Sequence, residues 1–192
     1  MIDVDRVLTR AEVRIVVGEL RRKAKRGKLT RRNLILFNLA TFAGLRASEI
    51  CGLRLGDIRL GVSPSIRIPA TLGKGSKART VPLTWDTAAL ADIAAWLDLR
   101  RSQGASDTDH VLLTRFGGPL ERHNARMIYQ RACRIIGRKV TIHAGRHTFA
   151  TLSLNAKRRP EAVQFAMGHA SLLTLAQYIH LTEPDEALGS LI

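Results

Sequence analysis

Aromatic residues are scarce in this chain of 192 residues, at 5%, and cysteine occurs only twice. Proteins that stack single-stranded nucleic acid on aromatic side chains need many rings, so the composition disfavours that class. Cys51 and Cys133 have neither a CxxC pair nor a nearby histidine at metal-ligand spacing. We therefore expect no disulfide framework, no metal site and no cofactor built on them, and both thiols should pack as small apolar groups.

Long apolar runs are also missing, since no segment approaches the ~18 residues of a membrane span. The first ten residues, MIDVDRVLTR, lack the features of a secretory signal. Hydrophobic residues nevertheless make up 45% of the chain, which is enough for a sizeable core. With no repeat or linker visible, we predict one domain over residues 1–192, soluble and cytoplasmic.

Acidic residues are few: 16 Asp and Glu stand against 31 Lys and Arg, for a net charge of +15. A surface this basic indicates a polyanionic partner, most commonly nucleic acid. The low aromatic content favours duplex DNA, although an RNA-binding protein would give the same charge. The basic run at residues 21–28 has two interpretations, a solvated helix end or a contact with the DNA backbone.

The hydrophobic pattern predicts a mainly α-helical protein. Thr9 and Glu12 form a capping box, and the helix after them has an apolar face that begins at Val13. Thr30 is the predicted cap of a second helix, 34–43, whose apolar character on nearly every side predicts a central position. Gly44 should end that helix, and a short helix should follow through residues 49–53.

A small antiparallel sheet or hairpin is predicted further along the chain. Residues 65–69 and 79–83 alternate with period two around the exposed, glycine-flanked Lys74. Thr84 should cap the next helix, residues 100–110 should form a loop, and residues 121–136 should be helical. From His143 onward we expect short helices, with Pro160 at a first helical position and Gly168 as a stop. The predicted fold class is therefore α+β, mainly α.

Two local settings in the sequence point to phosphate chemistry. Arg46 lies where one helix ends and another begins, so it could reach a phosphate there or simply pair with Glu49. His143 and Arg146 are three residues apart and share one face of a helix with His147. A zinc site on the two histidines is disfavoured, because no Glu follows the first histidine and no third ligand is evident.

Four segments together resemble the tyrosine recombinases, the phage-type integrases and Xer-type recombinases. These segments are GLRASEICGLRLGDI, LGKGSKARTVPL, HAGRHTFAT and MGHASLLTLAQYIH, in that order. The resemblance extends from about Leu8 to the C-terminus. The spacing also agrees, since His169 follows Arg146 by 23 residues and Tyr178 follows His169 by 9.

The resemblance implies a catalytic domain with a six-residue site. The implied catalytic residues are Arg46, Lys74, His143, Arg146, His169 and Tyr178. Glu49 matches an acidic position that supports the site, and Lys77 is the rival of Lys74. The sequence departs from the family pattern at Ile142, where proline is common, and at Gly145, where leucine is common. Many relatives also carry an N-terminal DNA-clamping domain, which we expect to be absent from this chain.

The implied reaction is metal-independent cleavage and rejoining of DNA through a 3′-phosphotyrosyl bond to Tyr178. The implied partner is double-stranded DNA, and the segment 182–192 could pack either on its own core or on a neighbouring protomer of a tetramer. Alternatives are a type IB topoisomerase, a catalytically silent DNA-binding protein, and a basic RNA-binding protein. The sequence does not distinguish integration from excision or resolution.

Overall fold

The computed structural model describes residues 7–72 and 78–168. Seven helices and three strands follow one another in these residues, with short 3₁₀ turns at Leu55–Asp57 and Cys133–Ile136. Their bounds are α1 Arg10–Ala24, α2 Lys28–Thr41, α3 Ala47–Gly52, β1 Ile58–Arg59, β2 Ser65–Ile68, β3 Arg79–Pro82, α4 Thr87–Ser102, α5 Arg122–Ala132, α6 Ile142–Asn155 and α7 Pro160–Met167. The predicted class, mainly α with a small sheet, is confirmed.

Helix α2 is the centre of the domain. Every residue from Leu34 to Thr41 is buried, and α2 packs against α1, α3, α4, α5 and α6. A helix that is apolar on all sides must be covered on all sides, which explains this central place. Arg46, the first candidate residue, follows the end of α2 by five residues and precedes α3, so it lies next to this central helix.

Helix starts were predicted with mixed success. The capping box of α1 is confirmed, with the Thr9 side chain accepting from the Glu12 amide and the Glu12 carboxylate accepting from the Thr9 amide. Thr30 does not cap α2; it lies inside the helix and donates to the Gly27 carbonyl at 2.7 Å. Thr84 does not cap α4 either, because the Asp86 carboxylate accepts the Ala89 amide at 2.7 Å. Carboxylates accept helix N–H groups at least as well as hydroxyls do, and Asp86 lies two residues closer to the helix.

The three strands form one antiparallel sheet in the order β1-β2-β3. Strands β2 and β3 agree with the predicted segments to within one residue, whereas the two-residue β1 was not predicted. Val81 pairs with Ile66, and both are fully buried, so one face of the sheet joins the core. Strand β3 also contacts α7, which brings the sheet to the candidate site.

The second half of the chain is helical, as predicted, with small differences at the ends. Helix α4 continues to Ser102, so the predicted loop begins later than residue 100, and α5 gives way to a 3₁₀ turn at Cys133. Pro160 occupies the first turn of α7, and Gly168 ends that helix in the left-handed conformation. Within the described part of the chain, no helix is both long and apolar enough to cross a membrane.

Candidate active site

Arg46 is held at the start of α3 by the acidic residue one turn later. Its main-chain amide donates to Glu49 Oε2 at 2.8 Å, and its Nη1 donates to Glu49 Oε1 at 2.8 Å. A second guanidinium nitrogen, Nη2, donates to the carbonyl of Gly168 at 3.2 Å. The Arg46 side chain retains 20% of its exposure, so its remaining N–H groups are open to a bound phosphate.

Arg146 lies one turn into α6 and is 5% exposed. Its Nη1 donates to the Gly44 carbonyl at 2.5 Å, and its Nη2 donates to the Met167 carbonyl. The two candidate arginines therefore contact adjacent carbonyls at the end of α7, although they are a hundred residues apart in sequence. The structure thus brings Arg46 and Arg146 together at this helix end.

Arg79 is a third arginine in this cluster, and the sequence interpretation missed it. Its two terminal nitrogens donate to the two oxygens of Glu49, both at 2.8 Å, and its Nε donates to the Ala166 carbonyl at 2.8 Å. Arg79 could have been found from the strand alternation, because it shares the inward face of β3 with the buried Val81. A charged residue on an inward face needs a buried partner, and Glu49 is that partner.

Glu49 has no exposed surface and lies between Arg46 and Arg79. Burial by itself raises the pKa of this carboxyl, but the hydrogen bonds and charges of Arg79 and Arg46 outweigh it, so the net pKa lies below the usual 4.5. The carboxylate therefore stays ionised at neutral pH. Its four hydrogen bonds use the full accepting capacity of the group.

His143 lies three residues before Arg146 near the start of α6, as predicted, and its side chain faces solvent. Nearby protein atoms partly desolvate the imidazole, and the guanidiniums of Arg146, Arg126 and Arg46 add positive charge; all of these lower its pKa from the usual 6.5. The neutral ring therefore predominates at pH 7. A neutral imidazole can accept a proton, which is what a general base must do. His147, one turn further along α6, lies 6.3 Å from it between ring centroids.

Two departures from the family pattern have structural explanations. Ile142 is the first residue of α6, a position that suits proline, and its side chain is buried in the core instead. Gly145 leaves room for Tyr129, whose hydroxyl would lie 2.6 Å from a Cβ at residue 145. The Tyr129 hydroxyl hydrogen-bonds Thr41 Oγ1 at 2.9 Å, so the aromatic residue fills the space.

Three of the six predicted site residues, Lys74, His169 and Tyr178, lie outside the described residues, as does Lys77. The described residues resume at Ala78, four residues after Lys74, and end at Gly168, directly before His169. No group of three or more His, Cys, Asp or Glu side chains that could hold a metal ion occurs in residues 7–72 and 78–168.

Comparison with known proteins gives a consistent result. The sequence profile of the phage integrase family matches residues 6–184. A tyrosine recombinase of Pseudothermotoga lettingae is 30% identical over 177 residues, which cover 90% of this chain and 57% of the relative. Tyrosine recombinase XerC of Haemophilus ducreyi is 36% identical over 152 residues, covering 78% of this chain and 48% of the relative. The chain thus spans about half the length of these curated relatives.

Solved structures agree with the sequence matches. The crystal structure of XerA recombinase superposes with a TM-score of 0.79 at 25% identity, covering 95% of this chain and 62% of that one. XerH recombinase in a post-cleavage complex with its difH substrate gives a TM-score of 0.72 at 25% identity, covering 94% and 51%. From the arginine cluster, the profile match and these relatives together, we conclude that the chain belongs to the phage integrase family of tyrosine recombinases.

Proposed function

We propose that this protein cleaves and rejoins double-stranded DNA at specific sites through a covalent bond to Tyr178. The observation that carries the proposal is the convergence of Arg46 and Arg146 on one helix end, with the neutral His143 beside them. XerH, a structural relative, was solved in a post-cleavage complex on its DNA substrate. Family membership and a net charge of +15 support DNA as the partner.

The proposed reaction is an in-line transfer at one phosphodiester. The phenolic oxygen of Tyr178 attacks phosphorus, the bond from phosphorus to the 5′-oxygen breaks, and a 3′-phosphotyrosyl bond forms. The phenolic proton passes to His143, and the leaving 5′-oxygen takes a proton from Lys74. Rejoining reverses these transfers with a second 5′-hydroxyl as the nucleophile. Since one phosphoester replaces another, no ATP is required.

Arg46 and Arg146 would stabilise the charge that develops on the two non-bridging oxygens. Guanidinium groups stay protonated at any working pH and present planar forks to phosphate oxygens. We assign His169 to a hydrogen bond with a non-bridging oxygen or to a contact that braces Tyr178. With two fixed cations at the phosphate, we expect cleavage to proceed undiminished in the presence of a metal chelator.

Covalent capture on a suicide duplex tests this proposal. The DNA should be a pool of the sequences that flank the genetic element encoding this protein. The products should be resolved on a denaturing gel. Tyr129→Phe is the matched control, because Tyr129 is the only other tyrosine and is fully buried. We expect a covalent band with the parent protein and with Tyr129→Phe, and none with Tyr178→Phe.

Other outcomes separate the alternatives. Tight binding to the pool without any covalent band would favour a silent DNA-binding protein. Covalent capture with relaxation of supercoils but no strand exchange would favour a topoisomerase. Binding should also weaken steeply with salt, because cationic side chains release counterions from the backbone; affinity that is nearly constant between low and high salt would contradict the DNA-binding model.

We also propose that protomers assemble on DNA by exchanging their C-terminal segments. Residues 182–192 begin acidic, with Glu183, Asp185 and Glu186, and end apolar, with Leu188, Leu191 and Ile192. A cleft of about 480 Å³ between α1, α4 and α6 has the complementary character: apolar Trp85 and Phe149 line it, and arginines surround it. These arginines are Arg10, Arg14, Arg21 and Arg158.

Two variants test the assembly. Removal of residues 183–192 should leave binding to a single DNA half-site intact while abolishing complexes with more than one protomer, as measured by mass photometry. Arg14→Glu should weaken the same assembly, because it replaces an exposed cation of the cleft with an acid. Unchanged higher-order complexes after the truncation would mean that the segment packs on its own protomer.

A further inference from the structure

Three successive carbonyls at the C-terminal end of α7 each accept a hydrogen bond from a different arginine. Arg79 Nε donates to Ala166, Arg146 Nη2 to Met167, and Arg46 Nη2 to Gly168. The last carbonyls of a helix have no partner within the helix, and they form the negative end of its dipole. Cationic donors are therefore the most favourable partners for this helix end.

Arg79 differs from Arg46 in its accessibility. Its side chain is only 5% exposed, and three of its five N–H groups are already used on Glu49 and Ala166. Arg146 is as enclosed as Arg79, but it donates to main-chain carbonyls, whereas Arg79 pairs with a buried carboxylate. Arg46 retains four times that exposure, so it is the more accessible of the two arginines that share Glu49.

Glu49 connects Arg79 to Arg46, because both arginines donate to its carboxylate. The carboxylate accepts both terminal nitrogens of Arg79 in a bidentate pair, which is the most directional geometry available to an arginine. Its remaining capacity is used on the amide and Nη1 of Arg46. The pair with Arg79 therefore restricts rotation of the Glu49 carboxylate. Because Arg46 donates to the same carboxylate, its orientation depends on this restriction.

The same arginine also lies against Gly168, the residue that ends α7. Gly168 adopts φ +63°, and a Cβ at this position would lie 3.0 Å from Arg79 Cδ and 3.1 Å from its Nε. The turn thus packs directly on the Arg79 side chain. His169 follows at the next position, and Lys74 precedes Arg79 by five residues in the sequence.

On the basis of these contacts, and resting on the proposed function, we infer that Arg79 is a positioning residue for catalysis. It orients Arg46 through Glu49 and fixes the end of α7, from which the chain enters His169. Its role requires both the positive charge and the fork of donors. Lysine would keep the charge next to Glu49 but lose the bidentate pair and the bond to Ala166.

The test compares Arg79→Lys and Arg79→Met in the full chain with a matched control, Arg100→Met. Arg100 is also buried, at 3% exposure, and donates to the carbonyls of His110 and Val111, but it lies outside the cluster. Each variant is measured by denaturant unfolding, by DNA affinity, and by single-turnover cleavage of the suicide duplex at saturating protein.

We expect Arg79→Met to slow single-turnover cleavage by about 100-fold, comparable with loss of one transition-state donor, with DNA affinity changed by less than about threefold. Arg79→Lys should recover part of the rate, and Arg100→Met should cleave at the parent rate. Because Arg79 acts in part through Arg46, combining Arg79→Met with Arg46→Lys should slow cleavage by clearly less than the product of the two single effects. Two results would overturn the inference: cleavage by Arg79→Met at close to the parent rate, or a double variant whose loss of rate equals the product of the two single losses.

A second readout keeps this inference separate from the proposed function. The guanidinium ¹H–¹⁵N signals of Arg46 report its hydrogen bonds without any reaction. They should shift in Arg79→Met and stay unchanged in Arg100→Met. If the parent chain forms no covalent complex, the proposed reaction fails while these signals still decide the structural role; Arg46 signals that are identical in the parent and Arg79→Met would reject it.

Discussion

Arg79 and Arg100 are two almost fully buried arginines with different surroundings. Arg100, near the end of α4, donates to the carbonyls of His110 and Val111, and its guanidinium carbon lies 5.9 Å from the Trp96 ring centroid. Arg79 instead pairs with a buried carboxylate that is shared with a second arginine. Burial lowers the pKa of Arg100, and the charge of Asp109 partly offsets this effect.

The difference indicates what each buried charge contributes. Arg100 joins α4 to a loop through neutral carbonyls, which is a packing role. The Arg79–Glu49 pair carries the desolvation cost of two ions, and such pairs often stabilise a fold no better than apolar residues would. A buried ion pair next to a half-buried arginine is better explained by the direction it imposes on that arginine.

The largest expected effect on stability is at Glu49. Glu49→Gln removes the charge and turns an N–H group toward two arginines, so the free energy of unfolding should fall by about 3–5 kcal/mol. The pKa of Glu49 is lowered in the folded state, so its contribution is complete above the usual pKa of 4.5 and is lost as pH falls through the lower folded value. Urea unfolding between pH 7 and pH 3 should show that acid-dependent loss in the parent chain and less of it in Glu49→Gln.

Lysine substitutions should distinguish Arg46, the more accessible arginine of the Glu49 pair, from the packing arginine Arg100. Arg46→Lys keeps the charge but loses the planar fork, so single-turnover cleavage should fall by about 10²–10³-fold. Arg100→Lys should lower stability modestly and leave the cleavage rate of the folded protein unchanged. Equal losses of cleavage in the two variants, at matched DNA saturation, would remove the distinction between them.

A smaller effect on cleavage is expected from alanine substitution at one of two glycines that share the left-handed backbone conformation. Gly168→Ala and Gly137→Ala both place a side chain at positive φ, with φ +63° and +75°, and each should cost about 1–2 kcal/mol of stability. Only at Gly168 does the new Cβ press on Arg79, whereas nothing lies within 4 Å at Gly137. Gly168→Ala should therefore also slow cleavage, and Gly137→Ala should not.

The smallest expected effect is on the decline of the cleavage rate at low pH. His143 must be neutral to accept a proton, and the charge of Arg126 helps to keep its pKa below 6.5. Arg126→Gln removes that charge, so the pKa should rise and cleavage should begin to decline at a higher pH. Arg131→Gln, on the same helix, is the control. A pH profile that is the same in both variants would mean that Arg126 does not influence the base.

Much of the fold followed from local patterns. The capping box of α1, the all-round apolar α2 and the alternation of β2 and β3 were each predicted, because periodicity reports which face an element must bury. The caps at Thr30 and Thr84 were wrong, since several nearby polar residues can supply the same hydrogen bond. Which one does so depends on how the preceding chain enters the helix.

Some residues of the candidate site could likewise be predicted from the sequence, and one could not. Arg46, His143 and Arg146 were recognisable from motifs, and Glu49 was expected to support them. Arg79 was not, although its inward register in β3 was visible, because its partner lies 30 residues away on another element. The catalytic roles of all six residues remain predictions.

The sequence by itself determined the family, the helical class, the basic character and the identity of the candidate reacting groups, because motifs, periodicity and charge are local or additive properties of the chain. Only the tertiary structure decided that three arginines meet three successive carbonyls of α7 around one buried carboxylate. Those contacts join residues up to 122 positions apart, and side-chain hydrogen bonds over such separations exist only after the core has packed.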